Sequence, residues 1–151
     1  MNDAIVIHAS TWQDDVLQHL LTQMTQELLQ IYPDMPKPGP LHSPLVLIAF
    51  LDARAVGCVA MQALEDGCAE IKRLFVLPEA RRQGVAKRLI QVLEQHALQQ
   101  GYICMRVETG NKQSGAIALY QEMAYQPIAP FGVYIGNPVS YCFEKQLTGQ
   151  Q

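Results

Sequence analysis

Apolar and polar positions follow two different periods along the chain, and the switch between the periods separates helices from strands. Where apolar residues recur every three or four positions, a helix is predicted. The first helix begins at a cap, Ser10 or Thr11, and runs to Tyr32. A second begins near Gly84 and stops at Gly101, and a third covers residues 114–123.

Short apolar runs bounded by turn residues predict the strands. Glu65-Asp66-Gly67 is typical of a hairpin turn, whereas Pro33 to Pro44 holds five prolines and is predicted to be a long loop, a candidate functional segment. The resulting order, β-α-β-β-β-α-β-α-β-β, predicts an α/β domain built on a mixed sheet. The predicted strands cover residues 4–9, 45–51, 56–64, 68–77, 102–107, 128–134 and 139–146.

Size and composition restrict the class of protein. A chain of 151 residues, 49% hydrophobic and 17% charged, fits one folded domain over residues 1–151. The net charge of −3 argues against a broad nucleic-acid surface, and no apolar run is long enough to span a bilayer. The N-terminus, Met1-Asn2-Asp3-Ala4, lacks the basic and long apolar regions of a signal peptide, so we expect a cytoplasmic location.

The four cysteines lie far apart in apolar, strand-like contexts and form no C-x-x-C pair. This spacing disfavours a zinc site, and we expect no metal. In a reducing compartment all four are predicted to be free thiols buried in the core. They are Cys58, Cys68, Cys104 and Cys142.

The segment from Pro78 to Arg88 carries the strongest chemical signal. A strand ends there and a helix begins at Gly84, where the first N–H groups have no partner within the helix and the helix dipole adds partial positive charge. Gly84 lets the backbone approach a ligand, and the small Ala86 leaves the approach open. Such a helix N-terminus can hold a phosphate.

Charge placement agrees with a polyanionic ligand. Four of the eleven Lys and Arg residues lie between Arg81 and Arg88. Basic residues at a helix N-terminus oppose the dipole, so helix stability alone does not favour them there. A local rule broken in this way is typical of functional sites. The alternative is a solvated basic loop in front of an amphipathic helix.

The pattern Arg81-x-x-Gly84-x-Ala86 resembles the Arg/Gln-x-x-Gly-x-Gly/Ala signature of the GCN5-related N-acetyltransferase (GNAT) superfamily. The strand before Pro78 and the downstream Asn111 and Ala118-Leu119-Tyr120 are also similar to that family. The resemblance is strongest from Cys68 to Tyr125. It implies an acyl-CoA N-acyltransferase fold, with a mostly antiparallel central sheet flanked by helices, and transfer of an acetyl group from acetyl-CoA, as co-substrate, to an amine.

The resemblance also implies which residues bind the coenzyme. The pyrophosphate is expected on the backbone of Arg82 to Ala86. The pantetheine arm is expected alongside Leu74, Phe75 and Val76, on a strand that the family splays from the next one. In this sequence the alternation of inward- and outward-facing side chains is interrupted at Arg73-Leu74, as a β-bulge would cause. Arg88 and Lys112 are further candidates for a phosphate. The expected cofactor-binding residues are Leu74, Phe75, Val76, Arg81, Arg82, Gln83, Gly84, Val85, Ala86, Lys87, Asn111 and Tyr120.

Acetyl transfer needs a neutral amine, a polarised carbonyl and a protonated leaving thiolate, since an alkylammonium of pKa ~10.4 is unreactive. By resemblance Tyr120 is the candidate acid, and a backbone N–H of Phe75 or Val76 would polarise the carbonyl. Glu70, eleven residues before Arg81, is the candidate base. The alternatives are a core tyrosine, a surface glutamate paired with a neighbouring cation, and a water chain as base.

The acceptor side is defined only by fold analogy. The first helix, the proline-rich loop with His42, Glu108 and the final hairpin would form an aromatic, mildly acidic pocket suited to a small cationic amine. Its expected lining is Tyr32, Asp34, Met35, Phe131, Tyr134 and Tyr141.

Other functions stay open at this point. The chain could be a catalytically silent CoA-binding sensor or assembly module, or a protein or peptide N-acetyltransferase. A nucleotide-binding protein is a weaker alternative because no Gly-x-x-x-x-Gly-Lys-Ser/Thr sequence is present. Oligomeric state is also open, with a homodimer as one expectation.

Overall fold

A computed structural model describes residues 4–147 and contains three α-helices and seven strands in the predicted order. The helices are α1 (Asp15–Ile31), α2 (Val85–Gln99) and α3 (Ser114–Glu122). The strands are β1 (Ile5–Ser10), β2 (Leu45–Leu51), β3 (Arg54–Ala63), β4 (Cys68–Val76), β5 (Cys104–Gly110), β6 (Gln126–Ile128) and β7 (Ser140–Gln146).

The strands form one sheet in the order β1-β2-β3-β4-β5-β7-β6. The β1–β2, β2–β3, β5–β7 and β6–β7 pairs are antiparallel, while β4 and β5 run parallel. Helix α2 connects this parallel pair, as a crossover must. The predicted fold class, a mixed and mostly antiparallel sheet with helices, is confirmed.

The first helix begins later than the sequence predicts. Asp14 caps it, accepting a hydrogen bond of 2.8 Å from the Val16 N–H. Ser10 is the last residue of β1, and its hydroxyl donates to the other Asp14 oxygen at 2.5 Å. The expected cap at Ser10 or Thr11 is therefore wrong, because Ser10 holds the capping carboxylate in place rather than capping the helix itself.

The predicted strand over residues 128–134 is also wrong. Strand β6 ends at Ile128, and Gly132–Tyr134 form a 3₁₀ turn closed by the Ile135 N–H on the Gly132 carbonyl at 3.3 Å. Pro130 cannot donate to a sheet ladder, and Gly132 has a φ of 54°. These two residues break an apolar run whose side chains alone resemble a strand.

The described chain divides into two compact units, and the division runs through β4 and α2. The first comprises residues 4–62 and Lys72–Leu93, and the second Ala63–Ile71 and residues 94–147. The expectation of one acetyltransferase domain over residues 1–151 stays a prediction. No helix within residues 4–147 has the length and apolar character needed to cross a membrane.

In the first unit, Gly57 of β3 fixes a close approach to β4. A Cβ atom there would lie 3.0 Å from the Phe75 carbonyl oxygen and within 3.3 Å of the side chains of Val76 and Val85. Real Cβ atoms rarely come so close to a backbone oxygen, so the packing of β3, β4 and the start of α2 depends on the missing side chain.

In the second unit, a disulfide joins Cys68 of β4 to Cys104 of β5. The two residues are directly opposite in the parallel register, with Cα atoms 4.6 Å apart. The prediction of four free thiols is therefore wrong for this pair, because the chain returns 36 positions later to the neighbouring place in the sheet. Cys58 and Cys142 are free and buried as predicted. Burial raises the pKa of the Cys58 thiol to about 12.

Candidate active site

The loop before α2 has an unusual backbone. Arg82 and Gly84 both have left-handed conformations, with φ angles of 64° and 84°. Alternation of right- and left-handed residues turns successive N–H groups toward one side of a loop and forms a concave anion site. A non-glycine residue in this region is strained, so the Arg82 conformation supports a functional role for the loop.

Helix α2 begins directly after this loop. At its start the Arg88 N–H donates a hydrogen bond to the Gly84 carbonyl at 3.0 Å. The first turn of the helix contains no acidic residue. The N–H groups at such a terminus have no acceptor within the helix, and the dipole there attracts negative charge. Residues 81–84 are exposed, and a Cβ at Gly84 would meet nothing within 4 Å. The loop is thus accessible to a phosphate.

Arg81, the first residue of the signature, is bound to the protein itself. Its guanidinium makes two hydrogen bonds to the Glu27 carboxylate of α1 and one, at 2.9 Å, to the Val76 carbonyl. The same group lies 5.8 Å from the centre of the Phe75 ring. Arg81 therefore joins α1 to the end of β4, an anchoring role that its spacing in the sequence did not indicate.

The second half of β4 contains the residues expected along the pantetheine arm. Phe75 and Val76 are buried, and Leu74 is half-buried. The hydrogen-bonded register of β4 with β5 ends at Ile71, and Arg73 has a left-handed φ of 58°. The irregularity that the sequence indicates at Arg73-Leu74 is therefore present in the backbone.

Glu70, the candidate base, lies in the part of β4 that belongs to the second unit. It is 6% exposed, and the Tyr134 hydroxyl donates a hydrogen bond of 2.6 Å to its carboxylate. The sequence suggested neither this burial nor this partner, because Glu70 and Tyr134 are 64 positions apart.

Glu108 lies near the same phenol. It accepts a hydrogen bond of 2.7 Å from the Ser140 hydroxyl. Arg106 is directly opposite Glu70 in the parallel register, so the two side chains lie on the same side of the sheet. Glu108 is two residues further along β5 and therefore lies on that side as well. Burial, then the bond to Glu70 and the charges of Glu70 and Glu108, raise the pKa of Tyr134.

Tyr120, the candidate acid, is 3% exposed. Its ring packs edge-on against Tyr125, with 5.6 Å between centres, and lies tilted by 31° against Phe143 at 6.3 Å. Burial raises the pKa of Tyr120, and the Glu108 charge adds to the effect, so the hydroxyl keeps its proton at neutral pH. The residue therefore meets one requirement of a proton donor while also filling the core.

The remaining candidates are distributed over both units. Asn111 follows β5 and is exposed, with its N–H on the Val139 carbonyl at 2.8 Å. In the proline-rich loop, the His42 N–H donates to the Gln62 side chain at 3.0 Å, and the Met35 N–H donates to the Tyr32 carbonyl. Val85 is buried. The other predicted residues are exposed or half-buried: Asp34, Gln83, Ala86, Lys87, Lys112, Phe131 and Tyr141.

Among the described residues, one group of three potential metal ligands occurs, Cys68, Cys104 and Glu144, with ligand atoms within 4.8 Å of one another. Both sulfurs are used in the disulfide, and Glu144 accepts hydrogen bonds from Arg106 and Gln146. The donor set as it stands is therefore already engaged in bonds within the protein.

Comparisons with known proteins now place the chain. A family model described as the acetyltransferase (GNAT) family matches residues 10–125. The chain is 33% identical over 162 residues to an IAA acetyltransferase from Azospirillum brasilense, covering 97% of this chain and 100% of that protein. The chain therefore belongs to the GNAT family and is an acyltransferase, so the predicted family and enzyme class are confirmed.

Solved structures agree on the fold. One from Klebsiella pneumoniae, described as an acyl-CoA N-acyltransferase, has a TM-score of 0.84 and 31% identity, covering 97% of this chain and 99% of that one. A GNAT family acetyltransferase from Elizabethkingia anophelis, solved with acetyl-CoA bound, has a TM-score of 0.70 and 20% identity, covering 96% and 99%. At that identity the second likeness concerns the fold alone.

Proposed function

We propose that the protein transfers an acetyl group from acetyl-CoA directly to a primary amine. The observation that carries the proposal is the loop before α2, with left-handed Arg82 and Gly84 leading into a helix N-terminus that lacks acidic residues. That backbone suits a diphosphate, and it lies at the positions matching the family signature. The acetyl-CoA bound to the E. anophelis relative supports the same coenzyme.

Residues of β4 and Tyr120 of α3 would each carry part of the reaction. Glu70 accepts a proton from the incoming ammonium, which makes the nitrogen nucleophilic. The Phe75 or Val76 N–H stabilises the negative charge that develops on the acetyl oxygen. As the N–C bond forms and the C–S bond breaks, the Tyr120 hydroxyl gives its proton to the sulfur and regains one from the acetylated nitrogen.

Coenzyme binding is tested first, by calorimetry with CoA and acetyl-CoA. Turnover is then tested by release of the CoA thiol with a panel of amines, amino acids, a lysine-containing peptide and IAA, the compound named for the A. brasilense relative. Acetylation of an amine supports the proposal. Acetylation of the peptide alone would indicate a protein acetyltransferase instead.

Tyr120→Phe separates an enzyme from a CoA-binding sensor. Because the ring is retained in the core, we expect CoA affinity to stay unchanged while turnover falls about a hundredfold. Tyr102→Phe, on the connection between α2 and β5, is the matched control and should leave both unchanged. CoA binding without turnover of any acceptor would overturn the proposed transferase in favour of the sensor.

A further inference from the structure

Two aromatic residues of the connection between β6 and β7 pack against the sheet, each on a different strand. The Tyr134 hydroxyl donates a hydrogen bond of 2.6 Å to Glu70 of β4. The Phe131 ring lies 5.6 Å from the Arg106 guanidinium of β5. The two rings also contact each other edge-on, with 5.3 Å between centres and 80° between planes. The contacts therefore run without a gap from Arg106 to the candidate base.

Arg106 offers Phe131 a fixed, flat surface. Its Nε donates to Glu144 at 2.7 Å and its Nη2 to Asp66 at 2.8 Å, so β7 and the turn before β4 both hold the guanidinium. Bonds in the plane of a guanidinium leave its face available to an aromatic ring. A lysine would keep the charge but has no such face, so this contact requires arginine.

The sheet brings the two ends of this chain of contacts together. Arg106 is directly opposite Glu70 in the register of β4 and β5, and all four residues belong to the second unit. Phe131 and Tyr134 are each half-buried, so the core surrounds neither ring on every side. Their contacts with each other and with the two strand residues therefore restrict how the rings can turn.

We propose that Phe131 and Arg106 are positioning residues for the transfer reaction. The inference rests on the proposed function, in which Glu70 accepts a proton from the incoming ammonium. Proton transfer depends on the orientation of the accepting carboxylate, and the Tyr134 hydroxyl gives Glu70 a donor in a fixed place. Phe131 fixes the ring that carries this hydroxyl, and Arg106 fixes Phe131. Both act through Tyr134 and not on the substrate.

The first test measures the hold on Tyr134 without any acceptor. N-acetylimidazole acetylates tyrosine hydroxyls that are accessible, and mass spectrometry of peptides gives the rate at Tyr134. In Phe131→Leu we expect that rate to rise about three- to tenfold, the scale of one lost aromatic contact. Phe131→Tyr retains the ring and should restore the wild-type rate. Tyr120, which is buried, should stay unmodified and so report an intact fold.

Kinetics then test whether this hold serves the reaction. The acceptor is n-butylamine, which presents the amine without a second functional group, or the panel amine that the wild type acetylates if n-butylamine is not used. We expect Phe131→Leu to lower kcat and kcat/KM equally, about three- to tenfold, and Arg106→Lys to lower both about threefold. Phe131→Tyr should restore kcat. The double variant Phe131→Leu, Tyr134→Phe should be no slower than Tyr134→Phe alone.

Phe50→Leu is the matched control. Phe50 of β2 belongs to the first unit, is half-buried and packs edge-on against His8, with 5.6 Å between ring centres. The variant thus removes a comparable ring contact elsewhere in the chain. Labelling of Tyr134, kcat and CoA affinity should all keep their wild-type values.

Equal labelling of Tyr134 in wild type and Phe131→Leu would overturn the positioning role. So would additive losses in the double variant, or a loss of kcat that Phe131→Tyr does not restore. These results would leave the proposed function standing, because turnover and CoA binding of the wild type test it separately. Absence of turnover with every amine would remove the proposed function, and this role with it, whatever the labelling rates.

Discussion

Arg81 is joined to Glu27 by two hydrogen bonds of 2.9 and 2.7 Å, so the first residue of the coenzyme signature is bound to helix α1. Both side chains are partly exposed, which limits the worth of the pair to about 1 kcal/mol. Its importance is positional, because the same guanidinium also binds the Val76 carbonyl at the end of β4.

If Arg81 acts by holding the loop, Glu27→Ala and Arg81→Ala should weaken CoA binding to a similar extent, about three- to tenfold. The double variant should be no weaker than the worse single variant, since both remove one shared interaction. Calorimetry of the three variants provides the complete cycle. Additive losses, or an effect of Arg81→Ala alone, would instead show that the pair with Glu27 is not what holds the loop.

Gly84→Ala tests the loop conformation. An alanine at φ 84° costs about 1–2 kcal/mol. Because residues 81–84 are exposed, the free loop can relax, and the cost should appear mainly on binding, where the left-handed backbone must be restored. We expect Kd for CoA to rise about five- to thirtyfold, with the free energy of unfolding nearly unchanged.

Gly39→Ala is the control, because Gly39 has no positive φ and a Cβ there would meet nothing within 4 Å. A full loss of stability in Gly84→Ala with an unchanged CoA affinity would show that the left-handed backbone serves folding and not the ligand.

The bond from Tyr134 to Glu70 predicts a loss of activity when the phenol is removed. The pKa of Tyr134 is raised, so the phenol remains a donor throughout the neutral range. In Tyr134→Phe the Glu70 carboxylate loses the donor that orients it. We expect kcat/KM to fall about tenfold, with CoA affinity unchanged.

Glu108, Cys142 and Arg106 lie on the same side of the sheet and are retained in this variant. Tyr102→Phe, on the connection between α2 and β5, is the control and should leave kcat/KM unchanged. An unchanged kcat/KM in Tyr134→Phe would mean that the bond to Glu70 plays no part in the reaction.

The Cys68–Cys104 disulfide predicts that stability depends on reductant. Because the cysteines are 36 positions apart, loop closure contributes up to about 4 kcal/mol to the free energy of unfolding. Urea titration with and without dithiothreitol should show that loss. The Cys68→Ala, Cys104→Ala double variant should have a single midpoint that reductant does not change. A wild-type midpoint indifferent to reductant would contradict the bond.

The hairpin turn and the start of α2 could be predicted because their signals are local. Strand β2 matches its predicted range, and Gly67, with a φ of 83°, supplies the turn predicted before β4. Helix α2 begins at Val85, next to the Gly84 at which the sequence places its start. In each case the residue type and its immediate neighbours determine the backbone.

The partners of the candidate site residues and the disulfide could not be predicted, because they join residues far apart in the sequence. Glu70 and Tyr134 are 64 positions apart, and Arg81 and Glu27 are 54 apart. Nothing near Cys68 indicates Cys104, since only the parallel register brings them together. The turn at Gly132–Tyr134 was mistaken for a strand because Val133 and Ile135 have strand-forming side chains although they face solvent.

Gly57 has a consequence for how this protein can change. Because Gly57 of β3 has no side chain, the Phe75 carbonyl and Val85, the first residue of α2, can pack close against it. A single methyl group at that position would push on the strand and the helix start from behind, without touching any ligand. Loss of coenzyme affinity through substitution there would look like a binding defect while arising from the scaffold. In a library of random variants, substitutions at Gly57 should be rare among folded proteins, whereas substitutions at Gly39 should be tolerated.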